Sequence, residues 1–575
     1  MKLFKLKSSL SKHGFHPSNK NSKFRLKNTS SHLANVLLLL SAFTLTACGG
    51  SGSSTATTIT DTTRACPKVS GTVDPLYSDQ WHLKNTGSPT GTANEDVNIE
   101  SVWSTYCGLD IIIAIVDDGL EIAHEDLAAN ILAGGSHNYV NNSNDPTPPA
   151  GSTDAHGTSC AGVAGAVGFN GIGVRGAAPG VQLVGYNLLQ ASNTVNEADS
   201  MIRGTTGGAS NTRSASSSSI DISSNSHGAP DDGQAHESVI TWRAAIDDGI
   251  TNGRGGKGIN YFWAGGNGRS VGDNSNYDGQ ANYHGVNAVA ALNDTGKQAS
   301  YSESGANVLI SAHAGEFCST NTITTVDLSG TDGANNAGDN NGQTDYASDS
   351  YTQCFNGTSS ATPLVSGIAA LILDANPNLS RRDMRLLLAR TARKNDPADA
   401  GWEVNAAATP MNINHKYGFG AIDAQAAVTA ATSWTLLTAE KTPETYNSGT
   451  LSISIPDSPG SPTYGTAATN TINVATSAIS QLEFVEVTFA SDHTYWTDLK
   501  IVLTSPGGTQ SILSEAHNTK DNIAPSTTAL VSGFRFGSVR HTDETATGNW
   551  VISVQDGANL DTGNITSWSI KLYGR

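Results

Sequence analysis

Between residues 73 and 436 the chain alternates short apolar runs with glycine-rich turns and amphipathic stretches. Residues 111–116 are six consecutive apolar positions, a pattern that suits a strand buried on both faces of a parallel sheet. Runs at 181–184, 220–222, 261–264 and 286–292 end in polar or glycine-rich turns in the same way. Helical candidates lie between and after them at 238–246, 363–374 and 380–393, the last opening on Ser380 and Asp383 at capping-box spacing. Strand–helix alternation predicts an α/β domain, a parallel sheet flanked by helices, with functional residues at the carboxyl ends of strands. After about residue 434 the helical period disappears. Residues 441–575 carry short alternating runs (482–489, 499–503, 550–554) punctuated by Ser505-Pro506-Gly507-Gly508 and Asp556-Gly557, which predicts an all-β sandwich.

The first 47 residues follow a different pattern. A basic, polar stretch leads into an apolar segment at 33–47 that is short for a membrane span and ends in small residues, as a cleaved export signal does. It closes on Leu45-Thr46-Ala47-Cys48, which resembles a bacterial lipobox, followed by a Gly/Ser tether. The expectation is a lipidated Cys48 on a flexible linker reaching residue 72. The membrane would be met only through that lipid, at the outer membrane or cell surface, or lost on later release. At 575 residues, 37% apolar and 15% charged, the rest is a globular, loop-rich chain of at least two domains. Residues 1–47 hold eight Lys/Arg and no Asp/Glu, so the formal charge of −18 becomes −26 without them. Such a surface repels nucleic acid and anionic lipid and attracts cations and basic peptides.

In an oxidising compartment the cysteines divide by position. Cys66 and Cys107 bracket the mature N-terminal segment, and Cys318 and Cys354 bracket a polar insertion at 319–350; both are expected as disulfides, leaving Cys160 free and buried. The insertion carries Asp327, Asp332, Asp339 and Asp345, which fits either a surface loop or a calcium site built of hard oxygens.

Four local contexts carry chemistry. Asp117 directly follows the apolar run 111–116, and His156 precedes a small-residue helix. Asn267 follows another apolar run in Ala264-Gly265-Gly266-Asn267-Gly268. Ser359 opens a helix in Gly357-Thr358-Ser359-Ser360-Ala361-Thr362-Pro363. Serine-dependent peptide cleavage needs a base, a carboxylate that holds the base, and donors for the oxyanion. Asp117, His156 and Ser359 form a candidate triad, and Asn267 a candidate oxyanion donor.

Taken together, and in this order, these motifs resemble the subtilisin superfamily of serine proteases. The stretches around Asp117-Asp118-Gly119 and His124-Glu125-Asp126-Leu127, together with Gly253-Arg254-Gly255-Gly256 and Tyr301-Ser302-Glu303, are similar to its kexin/furin branch. Gly548-Asn549-Trp550 in the C-terminal sandwich is similar to that branch's P domain. The resemblance implies two calcium sites. One would use Asp74, Asp126 and Asn170 with the carbonyls of Val167, Ile172 and Val174; the other would use Asp231, Asp273 and Glu303. It further implies a pocket for a basic P1 residue floored by Asp231 and Asp278, a substrate-binding strand Ser226-His227-Gly228, and Asp118 and Asp154 favouring a basic P2 residue. His227 departs from the branch, which has tryptophan there, and Asp154 is displaced by one position from the branch's carboxylate. The stretch between Cys48 and residue 73 is too short for a folding propeptide, so a separate chaperone is expected as a partner alongside basic peptide substrates. Two alternatives are a broad-specificity degradative subtilisin and an inactive surface-binding adhesin.

Overall fold

The computed structural model describes residue 66 and residues 73–575 apart from 88–89, 205–219, 319–320, 336–337, 341 and 521–529. The leader and Cys48 lie outside the described residues. Seven strands form the central sheet: β1 (Ile112–Asp117), β2 (His137–Asn138), β3 (Gln182–Asn187), β4 (Ile222–Asn225), β5 (Asn260–Ala264), β6 (Val286–Leu292) and β7 (Val308–His313). Their order is β2-β3-β1-β4-β5-β6-β7, and every pairing is parallel.

The uninterrupted apolar run in β1 has the expected cause. Ile113 and Ile115 point into one core, which includes helices α1 (His156–Gly165) and α4 (Thr358–Ala375). Ala114 and Val116 point into the opposite core, where they meet Trp242, Ala245 and Ile246 of α3 (Ile240–Gly256), beside α2 (Thr194–Ile202). Both faces are covered, so residues 112–116 are all apolar and the first polar residue, Asp117, comes only at the strand's carboxyl end. Helix α5 (Arg381–Thr391) is capped by Ser380 and Asp383 in the expected reciprocal box.

The C-terminal sandwich has two antiparallel sheets. One joins Glu444–Asn447, Gly563–Gly574, Leu482–Ser491 and Phe534–Ser538, with Ile453–Ile455 also pairing to Gly563–Gly574. The other joins Ala468–Val474, Gly548–Asp556, Leu499–Thr504 and Gln510–Ser514. Trp496, Trp550 and Trp568 fill the space between them.

Residues 274–282 are among the segments of the α/β domain that bond to the sandwich. The Asn276 side chain donates to the Gly537 carbonyl (2.9 Å) and accepts the Gly537 N–H (2.7 Å). Asn282 donates to the Arg535 carbonyl at 2.8 Å. Tyr277 is packed into the sandwich core, and its hydroxyl lies 2.9 Å from Ser514 Oγ.

Cys66 pairs with Cys107 and Cys318 with Cys354, while Cys160 is free and buried. Within the insertion, Asp327 accepts the backbone N–H groups of Leu328, Ala334 and Asn335. Asp345 accepts those of Tyr346 and Gln353. These carboxylates pin their own loop.

Candidate active site

The carboxyl edge of the sheet collects the four candidate groups, because β1 ends at Asp117 and β5 runs directly into the loop that carries Asn267. Asp117 is buried, and its Oδ1 lies 2.8 Å from His156 Nδ1 at the first position of α1. Burial opposes the imidazolium, but the Asp117 carboxylate outweighs it, so His156 sits well above the ordinary histidine pKa. Phe355 packs edge-on against the ring, with centroids 5.5 Å apart.

Ser359 lies in the first turn of α4. The preceding Gly357 has φ +82°, a left-handed conformation that glycine adopts without strain. Ser226 and Ser359 are doubly linked: Ser226 Oγ donates to the Ser359 carbonyl (3.0 Å), and Ser359 Oγ to the Ser226 carbonyl (3.2 Å). Cys160, one turn along α1, connects the two halves of the site; its sulfur is 3.9 Å from His156 Nδ1 and 3.5 Å from the Ser359 carbonyl.

The amide of Asn267 has a fixed orientation. Its Oδ1 accepts the Thr358 N–H (2.9 Å) and Thr358 Oγ1 (3.1 Å), leaving Nδ2 as the face available to a ligand.

Beside Ser359 opens a pocket of about 300 Å³ lined by Ser226, Gly228, Asn267 and Asp278, with Asp231 on its wall. Asp278 accepts N–H groups from Ala229 (2.9 Å), Gln280 (2.6 Å) and Ala281 (3.3 Å), which locks its carboxylate in place, and burial pushes its pKa up. A Cβ on Gly228 would stand 2.4 Å from Asp278 Oδ2, so only glycine leaves that oxygen open to the pocket. The sequence placed Gly228 in the substrate-binding strand; its closeness to Asp278 depends on a partner 50 residues away and has no local signal. His227 is stacked edge-on against Trp263 at 4.9 Å and takes up the wall position where the branch has tryptophan.

Asp118 does not stand free in the cleft. Its oxygens accept the N–H groups of Gly157 (2.8 Å) and His156 (3.3 Å) at the start of α1. Burial, followed by repulsion from Asp117, pushes it up to about 7. Asp154 accepts the Ser152 hydroxyl at 2.9 Å.

The two candidate metal sets differ. Asp231, Asp273 and Glu303 bring one carboxylate oxygen each to within 4.8 Å of one another. Burial and the neighbouring carboxylates push Asp273 up to about 6 and Glu303 well above its usual range. Among the described residues no Lys or Arg forms an ion pair with these three, and Gly266 and Gly268 leave room for Glu303 and Asp273 against the Asn267 loop. A partly buried, all-oxygen trio with excess negative charge fits a hard divalent cation.

The other set, Asp74, Asp126, Val167, Asn170, Ile172 and Val174, does gather around the 167–175 turn. Its side-chain oxygens, however, face N–H groups, and Arg175 is ion-paired to Asp74 at 2.7 Å. This arrangement departs from a metal-ligand shell. Arg175 was not foreseen, because its partner lies 101 residues away in the sequence.

Residues 108–420 match the subtilase family (peptidase S8), and residues 482–572 match the proprotein convertase P-domain. A calcium-dependent protease of Nostoc sp. is 33% identical over 520 residues, covering 86% of this chain and 71% of that protein. Neuroendocrine convertase 2 of Bos taurus is 31% identical over 520 residues, covering 87% of this chain and 74% of its own length. The crystal structure of the Aeromonas sobria serine protease–chaperone complex superposes with TM-score 0.74 at 29% identity, covering 89% of this chain and 96% of that one. An α/β sheet with a seven-strand parallel order, a C-terminal antiparallel sandwich and these matches lead to one assignment: the chain belongs to the subtilase family, a kexin-type serine protease with a P domain.

Proposed function

We propose that this protease is a calcium-dependent endopeptidase that cleaves after Arg or Lys, favours dibasic sites, and works through an acyl-enzyme on Ser359. The observation that carries this reading is the half-buried Asp278 carboxylate, fixed by backbone N–H groups, in the pocket beside Ser359. A carboxylate held by three N–H groups and kept open by Gly228 selects a cationic side chain, and arginine's planar fork can engage it through two hydrogen bonds.

In the proposed cycle Ser359 Oγ bonds to the scissile carbonyl carbon while His156 takes the hydroxyl proton and Asp117 holds the imidazole in place. The oxyanion accepts from Asn267 Nδ2 and the Ser359 backbone N–H. Collapse breaks the C–N bond, the leaving amine receives the proton from His156, and water then hydrolyses the ester by the same exchange. Asp231, Asp273 and Glu303 would hold calcium, which when bound neutralises their charge and ties three loops together. Asp118 and Asp154 are the groups proposed to favour a basic P2 residue.

The Aeromonas sobria protease was solved with a chaperone, which supports a separate folding partner here. Two disulfides favour an exported location. Lipid attachment rests on the Leu45-Thr46-Ala47-Cys48 pattern.

Peptides that differ only at P1 test the pocket. Arg and Lys substrates are expected to exceed Phe in kcat/KM, and Asp278→Asn should lower the Arg value by about 2–3 kcal/mol, roughly 30- to 150-fold, while sparing Phe. Equal values for Phe in the unaltered enzyme would instead support a broad degradative protease.

The Asp117–His156 pair sets opposite trends with pH. Catalysis needs neutral imidazole, so kcat/KM should rise with pH at values above 6.5, the ordinary histidine value. The raised pKa contributes stability that is fully present below 6.5 and is lost as pH rises through the folded value. Asp118, pushed up to about 7, acts in the same direction on stability. The melting-temperature advantage of Ser359→Ala, which cannot digest itself, over Ser359→Ala/His156→Ala should shrink over the range where wild-type activity climbs. Parallel rises would contradict the assignment of His156 as base.

A further inference from the structure

We propose that the Asp74–Asp126 site is closed to metal because the chain supplies its own cation to Asp74, the guanidinium of Arg175, and N–H donors to Asp126. The inference rests on the calcium reading above only for its contrast with the Asp231–Asp273–Glu303 cluster.

Asp74 is fully buried, and both of its oxygens are occupied. Oδ2 accepts Arg175 Nε (2.9 Å), Arg175 Nη2 (2.7 Å) and the Phe169 N–H (2.8 Å). Oδ1 accepts the N–H groups of Asn170 and Gly171, both at 3.0 Å. Asp126 receives Asn170 Nδ2 on Oδ1 and the Val174 N–H on Oδ2, each at 2.8 Å. Asn170 Oδ1 in turn accepts the Ile172 N–H at 2.8 Å. Every side-chain oxygen that the family resemblance offers to calcium is therefore aimed at a hydrogen. A metal ion would compete with these donors for the same oxygens, and it would also stand beside a guanidinium sharing Asp74, so like charges would oppose its entry.

Arg175 is held in place from its other side. Its guanidinium carbon lies 3.7 Å from the Phe169 ring centroid, 4.0 Å from that of Tyr77 and 5.0 Å from that of Trp103. Three aromatic faces and a buried carboxylate define a cage for a planar cation. A Cβ on Gly168 would come within 2.6 Å of Arg175 Cγ, so the stem has its own reserved channel. The two carboxylate sets thus solve the same electrostatic problem differently. One trio has no cationic side chain paired to it, whereas in the other set Asp74 has one built in and Asp126 is met by N–H donors from Asn170 and Val174.

The joint between the N-terminal segment and the 167–175 turn is then independent of calcium. The test uses chelator-stripped full-length Ser359→Ala protein, with calcium bound per chain counted by equilibrium dialysis and atomic emission. Adding Asp126→Asn is expected to leave the count unchanged, and adding Asp273→Asn to lower it by one. A count that falls by one with Asp126→Asn overturns the inference. A count untouched by Asp273→Asn overturns the calcium reading of the cluster and leaves the closed Asp74 pair standing.

Discussion

Ser359→Ala should lower kcat by roughly 10⁶-fold, the scale on which removing a nucleophilic serine acts. The substitution deletes only an oxygen whose hydrogen bond is to the Ser226 carbonyl, so the fold has little to lose. His156 and Asp117 stay paired at 2.8 Å, but with no nucleophile to serve they contribute nothing further to the rate. The residual activity over water comes from oxyanion stabilisation and binding, so adding His156→Ala should make the variant scarcely slower. Single-turnover cleavage of an Arg-P1 peptide, alongside labelling by a serine-directed fluorophosphonate, measures both. Labelling of Ser359→Ala, or activity within tenfold of wild type, would falsify the triad.

Asn267→Ala should cost about 10²- to 10³-fold in kcat with little change in KM. The reason is geometric. Thr358 binds Asn267 Oδ1 twice, so Nδ2 is already oriented before substrate arrives and pays no reorganisation when the oxyanion forms. The same loop touches the Asp231–Asp273–Glu303 cluster, since Asp231 accepts the Asn267 N–H at 3.0 Å and Glu303 the Gly268 N–H at 2.7 Å. A KM effect as large as the kcat effect would place Asn267 in ground-state binding rather than at the oxyanion.

Where chemistry was local, the sequence was readable. The all-apolar run of β1 could be read because both of its faces are buried, and the α5 cap because its partners are three residues apart. β7 was harder to see, since Ser311 and His313 interrupt its apolar pattern although both are buried; Ser311 satisfies its hydroxyl on the Tyr417 carbonyl. Helix α4 begins at Thr358, ahead of the apolar stretch that announces it, because its first turn is given to the site. α2 carries a polar, partly exposed face and is announced mainly by its Asn193 cap. Within the site, Asp117, His156, Asn267 and Ser359 each sit in a distinctive short context. Arg175 does not, because its role depends on a carboxylate and aromatic rings scattered from residue 74 to 169. The reach of Asn276 and Asn282 into the sandwich, over more than 250 residues, is equally invisible to any local pattern.

That last contact has a consequence for how selectivity can change. Asp278 stands between Asn276 and Asn282, and both of these are fastened to strand Phe534–Ser538 of the other domain. The position of the proposed P1 carboxylate is thus inherited from two modules at once. Transplanting a relative's sandwich onto this catalytic half would carry over a shifted pocket floor without altering a single lining residue. Redesign of the pocket alone, conversely, starts from a template whose other half is written some 260 residues downstream.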